Sequence, residues 1–176
     1  MTTKTRGIDF GTLSLKDALD LAILVEEEAE ERYLELEHQM EIHRTEEACA
    51  FFKFMAGNEK KHGEELTARR KKLFGDAPRA VTRAMIFDIE APDYDEARAF
   101  MSPREAFQVA MHSEQKAFGF FDAALPHLKD ADVKALFEDL RAEEVHHQDL
   151  VAKELAKLPE KDGLPLDAFV DDPIQQ

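Results

Sequence analysis

Two short segments of the chain combine a glutamate with a histidine three residues later: Glu59–His62 and Glu144–His147. An α-helix turns about 100° per residue, so positions i and i+3 lie on one face and each pair would point the same way. Both pairs lie in apolar stripes with helical spacing. An ionised group in an apolar interior is unfavourable unless it is paired or bound to a metal ion. The pairs are therefore candidate metal ligands.

Two further glutamates, Glu26 and Glu114, each stand alone in an apolar stripe of helical spacing. Each lies about 30 residues before one of the Glu-x-x-His pairs. The surrounding sequence repeats as well, because Glu26-x-x-Ala29-x-x-x-Tyr33 matches Glu114-x-x-Ala117-x-x-x-Phe121. The chain therefore contains a twofold pseudo-repeat of a helix hairpin.

Four such carboxylates carry a charge of −4, which two divalent cations would balance. One imidazole for each ion completes a set that leaves open positions for water, dioxygen or peroxide. Ligands rich in carboxylate suit iron or manganese better than structural zinc, which prefers cysteine and histidine. The alternative is a bundle in which the inward acids and imidazoles only hydrogen-bond one another. It leaves four acids competing for two imidazoles, so the burial penalty disfavours it.

The register of the last helix has an alternative, because Glu143-x-x-His146 is also present. That phase would turn Asp139 inward, whereas the Glu144 phase keeps apolar residues inside, so we favour Glu144 and His147. The remaining histidines lie off the stripes and are predicted at the surface: His38, His43, His112 and His127.

Four long helices would position these residues. Their predicted ranges are 14–42, 45–74, 102–125 and 130–158. Gly75 supplies a C-cap, and Ser102-Pro103-Arg104-Glu105 is a strong N-terminal signal. Residues 76–101 are too many for a tight turn and predict a crossover along the height of a bundle. A polar arm, 1–13, and a tail, 159–176, flank the helical body.

Composition sets further limits. A chain of 176 residues suits one domain, and its single cysteine excludes a disulfide framework and any CxxC metal site. The formal charge of −15 argues against binding to nucleic acid or anionic membrane. The longest apolar run is only 21–25, and residues 1–15 lack a signal-peptide pattern. We therefore expect a soluble, cytoplasmic protein.

The Glu and Glu-x-x-His pattern over residues 14–158 resembles the rubrerythrin branch of the ferritin-like di-iron carboxylate superfamily. The resemblance implies an all-α, ferritin-like four-helix bundle with a long crossover between its second and third helices. It also implies a di-iron centre that reacts with peroxide or dioxygen, with manganese or zinc as substitutes. The implied metal ligands are Glu26, Glu59, His62, Glu114, Glu144 and His147.

Tyr33 matches a tyrosine of the family that lies beside the metal ligands and is the one candidate catalytic residue outside the ligand set. The chain departs from the family in three ways. It has no rubredoxin domain, Ala117 stands where peroxidase-type members carry an extra carboxylate, and Phe121 has no hydroxyl. The first means that a built-in electron relay is absent, and Ala117 favours a more symmetric site with six ligands and weakens the case for a peroxidase.

The expected activity is that of an iron-dependent oxidoreductase, in which peroxide or dioxygen oxidises ferrous iron, with a role in oxidative stress. One alternative is a peroxide reductase that receives electrons from a separate rubredoxin-like protein. Another is a non-enzymatic iron-binding or iron-delivery module that docks on a partner. The resemblance also predicts a homodimer, and extra aromatics on the second and third helices hint at its interface: Phe51, Phe54, Phe118 and Phe120.

Overall fold

The computed structural model describes residues 4–5, 8–42, 45–86, 89 and 102–159. Two short strands, β1 (Lys4–Thr5) and β2 (Ile8–Asp9), pair in antiparallel fashion ahead of the helices. The helices are α1 (Leu15–Ile42), α2 (Glu46–Phe74), α3 (Arg83–Ile86), α4 (Pro103–Ala124) and α5 (Ala131–Leu155). A 3-10 turn, Leu125–His127, follows α4. The four long helices begin and end close to the predicted positions, and the prediction of an all-α bundle is confirmed.

The long helices form two antiparallel hairpins. In the first, Asp20 near the start of α1 pairs with Arg70 near the end of α2, with Nε and Oδ1 2.7 Å apart. In the second, Asp122 near the end of α4 pairs with Arg141 of α5 at 2.6 Å. The internal repeat of the sequence therefore corresponds to two helix hairpins that pack together.

A crossover joins the hairpins along the height of the bundle. Helix α4 begins beside the start of α2, because the rings of Phe107 and Phe52 lie 4.8 Å apart, whereas α2 ends at the opposite end. Within the crossover, the short α3 is tied to α1 by a two-bond ion pair between Arg83 and Glu31. Residues 87–88 and 90–101 of the predicted crossover lie outside the described residues.

The bundle contains two hydrophobic clusters, one towards each end. The first contains Phe121 and Phe137 with apolar residues from the start of α1. The second contains Phe52, Phe107 and the end of α1. The predicted glutamates and histidines occupy positions on the helices between these clusters, so a polar layer separates two apolar ones.

Helix ends carry the signals that the sequence predicts. Ser102 accepts a hydrogen bond from the backbone N–H of Glu105, whose side chain accepts one from the Ser102 N–H, which completes a capping box. Gly75 adopts a positive φ of 57°, where a side chain would be strained. Its backbone N–H donates a hydrogen bond to the backbone carbonyl of Lys71. These caps fix where α4 begins and α2 ends.

Two parts of the chain differ from the predicted pattern. In the predicted polar arm, Ile8 and Phe10 are buried, and the ring of Phe10 meets that of Phe120 at 5.7 Å. Near the end of α2, Leu73 is exposed although its spacing predicts burial, and Arg70 is buried instead. Arg70 turns inward because it can satisfy Asp20 and the backbone carbonyls of residues 75 and 77 together.

The predicted homodimer stays a prediction. Of the aromatics assigned to its interface, Phe51 and Phe120 pack against rings of the same chain, and Phe118 is half-buried. Phe54 is 54% exposed. Within the part of the chain that the structure describes, none of the helices has the length and apolar character that crossing a membrane requires. The predicted tail lies outside the described residues from position 160 onward.

Candidate metal centre

Each long helix contributes to one buried cluster between the two hydrophobic clusters. All six predicted ligands point into it: Glu26 from α1, Glu59 and His62 from α2, Glu114 from α4, Glu144 and His147 from α5. The four glutamates are buried, and Glu114 is fully so. Ionised groups at such positions need compensating charge.

Glu59 lies between the two histidines. Its Oε1 is 3.3 Å from Nδ1 of His147, and its Oε2 is 3.9 Å from Nδ1 of His62. The two imidazole rings are nearly parallel, with centroids 5.6 Å apart and an interplanar angle of 11°. One carboxylate therefore faces a ring nitrogen on each side.

The other carboxylates divide between the two histidines. Oε2 of Glu26 is 3.8 Å from Nδ1 of His62, and Oε2 of Glu114 is 3.4 Å from Nδ1 of His147. Glu144 joins the group of Glu114 and His147, with ligand atoms all within 4.8 Å of one another. Each histidine is thus the centre of its own set of carboxylate oxygens.

Tyr33 supports one half of this arrangement. Its hydroxyl donates a hydrogen bond to Oε1 of Glu114 across the bundle, from α1 to α4. Its ring stacks on Phe52 at 6.1 Å, which holds the hydroxyl in place. Gln148 donates to the backbone carbonyl of Glu114 at 3.3 Å. Phe121, the counterpart of Tyr33 in the repeat, offers no such donor.

The structure also brings in a seventh side chain, Glu143. Its carboxylate groups with Glu26 and His62, all within 4.8 Å, although it lies one position from the predicted stripe. The alternative register would have placed His146 inside, but His146 is exposed. The two adjacent glutamates, Glu143 and Glu144, were the sequence signal for this residue. Neighbouring positions on α5 can both reach a cluster that lies between several helices.

Burial shifts the charge equilibria of the cluster. It raises the pKa of Glu26 from 4.5 to about 7, a hydrogen bond to Glu59 opposes the rise, and the charge of Glu143 adds to it. Burial and the neighbouring His147 lower the pKa of His62. Burial would also lower the pKa of His147, but the carboxylate of Glu114 outweighs it and raises that pKa. The metal-free cluster thus retains protons that metal ions would displace.

The metal-free protein should therefore lose stability as pH rises. The folded state binds the proton of Glu26 more tightly than the unfolded chain does, so this contribution is complete below pH 4.5 and is lost as pH rises through 7. The shift corresponds to about 3 kcal/mol. Glu26→Gln removes this titration. In the presence of a chelator at pH 8, we expect its free energy of unfolding in urea to exceed that of the parent protein by about 3 kcal/mol.

At pH 5 the same two proteins should differ by less than about 1 kcal/mol, because Glu26 is then protonated in the folded state. If the difference in free energy of unfolding between the two proteins is the same at pH 5 and pH 8, the assignment of this proton to Glu26 is contradicted.

The donor set fits a pair of divalent cations. Four buried carboxylates balance two dications, and the two imidazoles give each ion one nitrogen ligand. Nδ1 of His62 is a buried atom that makes no hydrogen bond to any described residue. A ring nitrogen that faces two carboxylates without such a bond is available as a ligand. The residues present therefore suit iron or manganese.

Comparison with protein families matches residues 17–155 to the family described as Rubrerythrin. A solved structure of an uncharacterized conserved protein from Magnetospirillum magnetotacticum MS-1 is similar to this chain, with a TM-score of 0.71 and 29% sequence identity. The similarity covers 86% of this chain and 100% of that one. A comparison with curated proteins gave no match.

Proposed function

We propose that this chain, which belongs to the rubrerythrin family of di-iron carboxylate proteins, binds two iron ions and catalyses oxidation of ferrous iron by peroxide or dioxygen. The observation that carries the proposal is the position of Glu59, whose two carboxylate oxygens face the nitrogens of two different histidines. Glu59 would therefore be within reach of both metal ions and would serve as a ligand to each.

The remaining residues take roles that follow from their contacts. Glu26 and His62 would hold one ion, and Glu114, Glu144 and His147 would hold the other. The two apolar clusters lie above and below the site, and they enclose the half beside His147 more completely than the half beside His62. Carboxylates in such a setting hold cations tightly because neither partner is screened.

Bound iron would supply one-electron chemistry. Two ferrous ions would supply one electron each, which with two protons from solvent is what reduction of one hydrogen peroxide molecule to two water molecules requires. The chain has to hold two ferrous ions at once and release the proton of Glu26 as they bind, because a ligand carboxylate must be ionised.

Tyr33 would position Glu114 for this work. Tyr33→Phe keeps the stacked ring but removes the donor to Oε1, and loss of such an outer contact lowers metal affinity by about 10–100-fold. Titration with Mn(II) would measure the loss. In a Glu114→Gln background the same substitution should have little further effect, since the carboxylate is already gone. An equal loss in both backgrounds would contradict the proposed role.

The experiment that tests the function is anaerobic loading with ferrous iron, followed by exposure to peroxide or dioxygen. We expect two ions per chain and consumption of ferrous iron beyond the bound pair. Metal content after purification from iron-replete cells identifies the native ion. Loading that is never followed by oxidation would overturn the oxidoreductase proposal and favour an iron-delivery module.

One further result would refine the proposal. Continuous peroxide consumption that requires an added reductase would favour a peroxide reductase with a separate electron donor of rubredoxin type.

A further inference from the structure

A cleft of about 220 Å³ lies between α2 and α5 and is partly open to solvent. Apart from leucines, its walls carry three carboxylates, one guanidinium and one imidazole: Glu65, Asp139, Glu143, Arg69 and His62. Carboxylates outnumber the single guanidinium, so the cleft attracts cations.

Two of the residues that line this cleft also belong to the metal centre. His62 and Glu143 line the cleft, and with the buried Glu26 they form a group whose ligand atoms lie within 4.8 Å of one another. The cleft therefore opens directly onto one half of the centre. A cation in the cleft would meet His62 and Glu143 first, and the buried Glu26 lies directly behind them.

The other half of the centre is more enclosed. The side chain of His62 is 22% exposed, whereas that of His147 is 4% exposed. Among the described residues that line the cleft, His147 does not occur. In the internal repeat Glu143 corresponds to Asn58, so the twofold pattern supplies no matching carboxylate on α2.

We propose that Glu143 is an additional carboxylate ligand for the ion beside His62, and that metal ions enter and leave that half of the centre through the cleft between α2 and α5. The inference rests on the proposed two-metal centre. It makes the two ions unequal: the one beside His62 exchanges with solvent faster than the one beside His147.

Titration with Co(II), followed by release to a chelator, tests this inference on the full chain. We expect two bound ions and two release phases. Glu143→Gln keeps the size of the side chain. It should lower the affinity for the ion that is released in the faster phase by about 10–100-fold and leave the affinity for the other ion unchanged. His62→Ala should remove the same faster phase, which identifies it.

Glu138→Gln is the matched control, because it makes the same charge change on an exposed position of α5. It should leave both phases as they are. If Glu143→Gln weakens the binding of both ions equally, or of neither while the parent protein binds two, the proposed role of Glu143 is overturned and the two-metal centre is not. A parent protein that binds no Co(II) would instead overturn the two-metal centre. Crystals loaded with Co(II) give a second readout, the distance from Glu143 to the ion.

Discussion

Replacement of Glu59 by alanine is expected to lower the affinity for both metal ions by at least about 100-fold and to end iron oxidation. Loss of an outer contact to a ligand already lowers affinity by about 10–100-fold, and Glu59 faces both halves of the site directly. Metal content by mass spectrometry and titration with Mn(II) would measure the loss.

Glu64→Ala provides the control for this substitution, because it removes an exposed glutamate from the same helix. It should bind two ions like the parent protein. Circular dichroism of metal-free Glu59→Ala would show that the variant is folded, which separates loss of a ligand from loss of the fold. A Glu59→Ala variant that still binds two ions with parental affinity would show that the carboxylate does not bridge them.

Metal binding is expected to raise the melting temperature of the protein by about 10–20 °C. A ligand at 100 times its dissociation constant stabilises the folded state by about 2.7 kcal/mol, so two sites contribute about 5 kcal/mol. In a chain of this size each kcal/mol raises the melting temperature by about 2–4 °C. Circular dichroism during heating, with a chelator and then with Mn(II), would measure the change.

The same comparison in Glu59→Ala separates binding at the centre from binding at the acidic surface. The formal charge of −15 attracts divalent cations non-specifically, and such binding does not depend on Glu59. The rise in melting temperature should therefore be absent in the variant, or reduced to about 4 °C or less, which corresponds to about 1 kcal/mol. A rise of equal size in both proteins would assign the stabilisation to the surface.

Much of the fold follows from periodicity and caps. The stripe of α1 holds its 3.6-residue spacing from Leu19 to Met40, and every member between them is buried. Burial departs from this spacing where a residue finds a specific partner in the interior. Arg70 is buried near the end of α2 because Asp20 and two carbonyls satisfy its guanidinium, and no helix pattern contains that information.

The candidate site was predictable where its residues share a stripe and was not where they meet across helices. The spacing of Glu59 and His62 places both on one face of α2. The internal repeat then predicts the same for Glu144 and His147 on α5. The approach of Glu143 to His62 depends on the distance between α2 and α5, which only packing sets. The bond from Tyr33 to Glu114 crosses between the hairpins and likewise needs the assembled bundle.

The layer of acids and imidazoles divides the interior into two apolar clusters that have no described side chain in common. Regions of a protein that are joined only weakly can open separately. Here the four helices are continuous through the layer, and without metal its side chains are linked by hydrogen bonds and by retained protons such as that of Glu26. Iron would replace those protons with ligand bonds that cross between the helices, and it would thereby couple the unfolding of the two ends of the bundle more tightly.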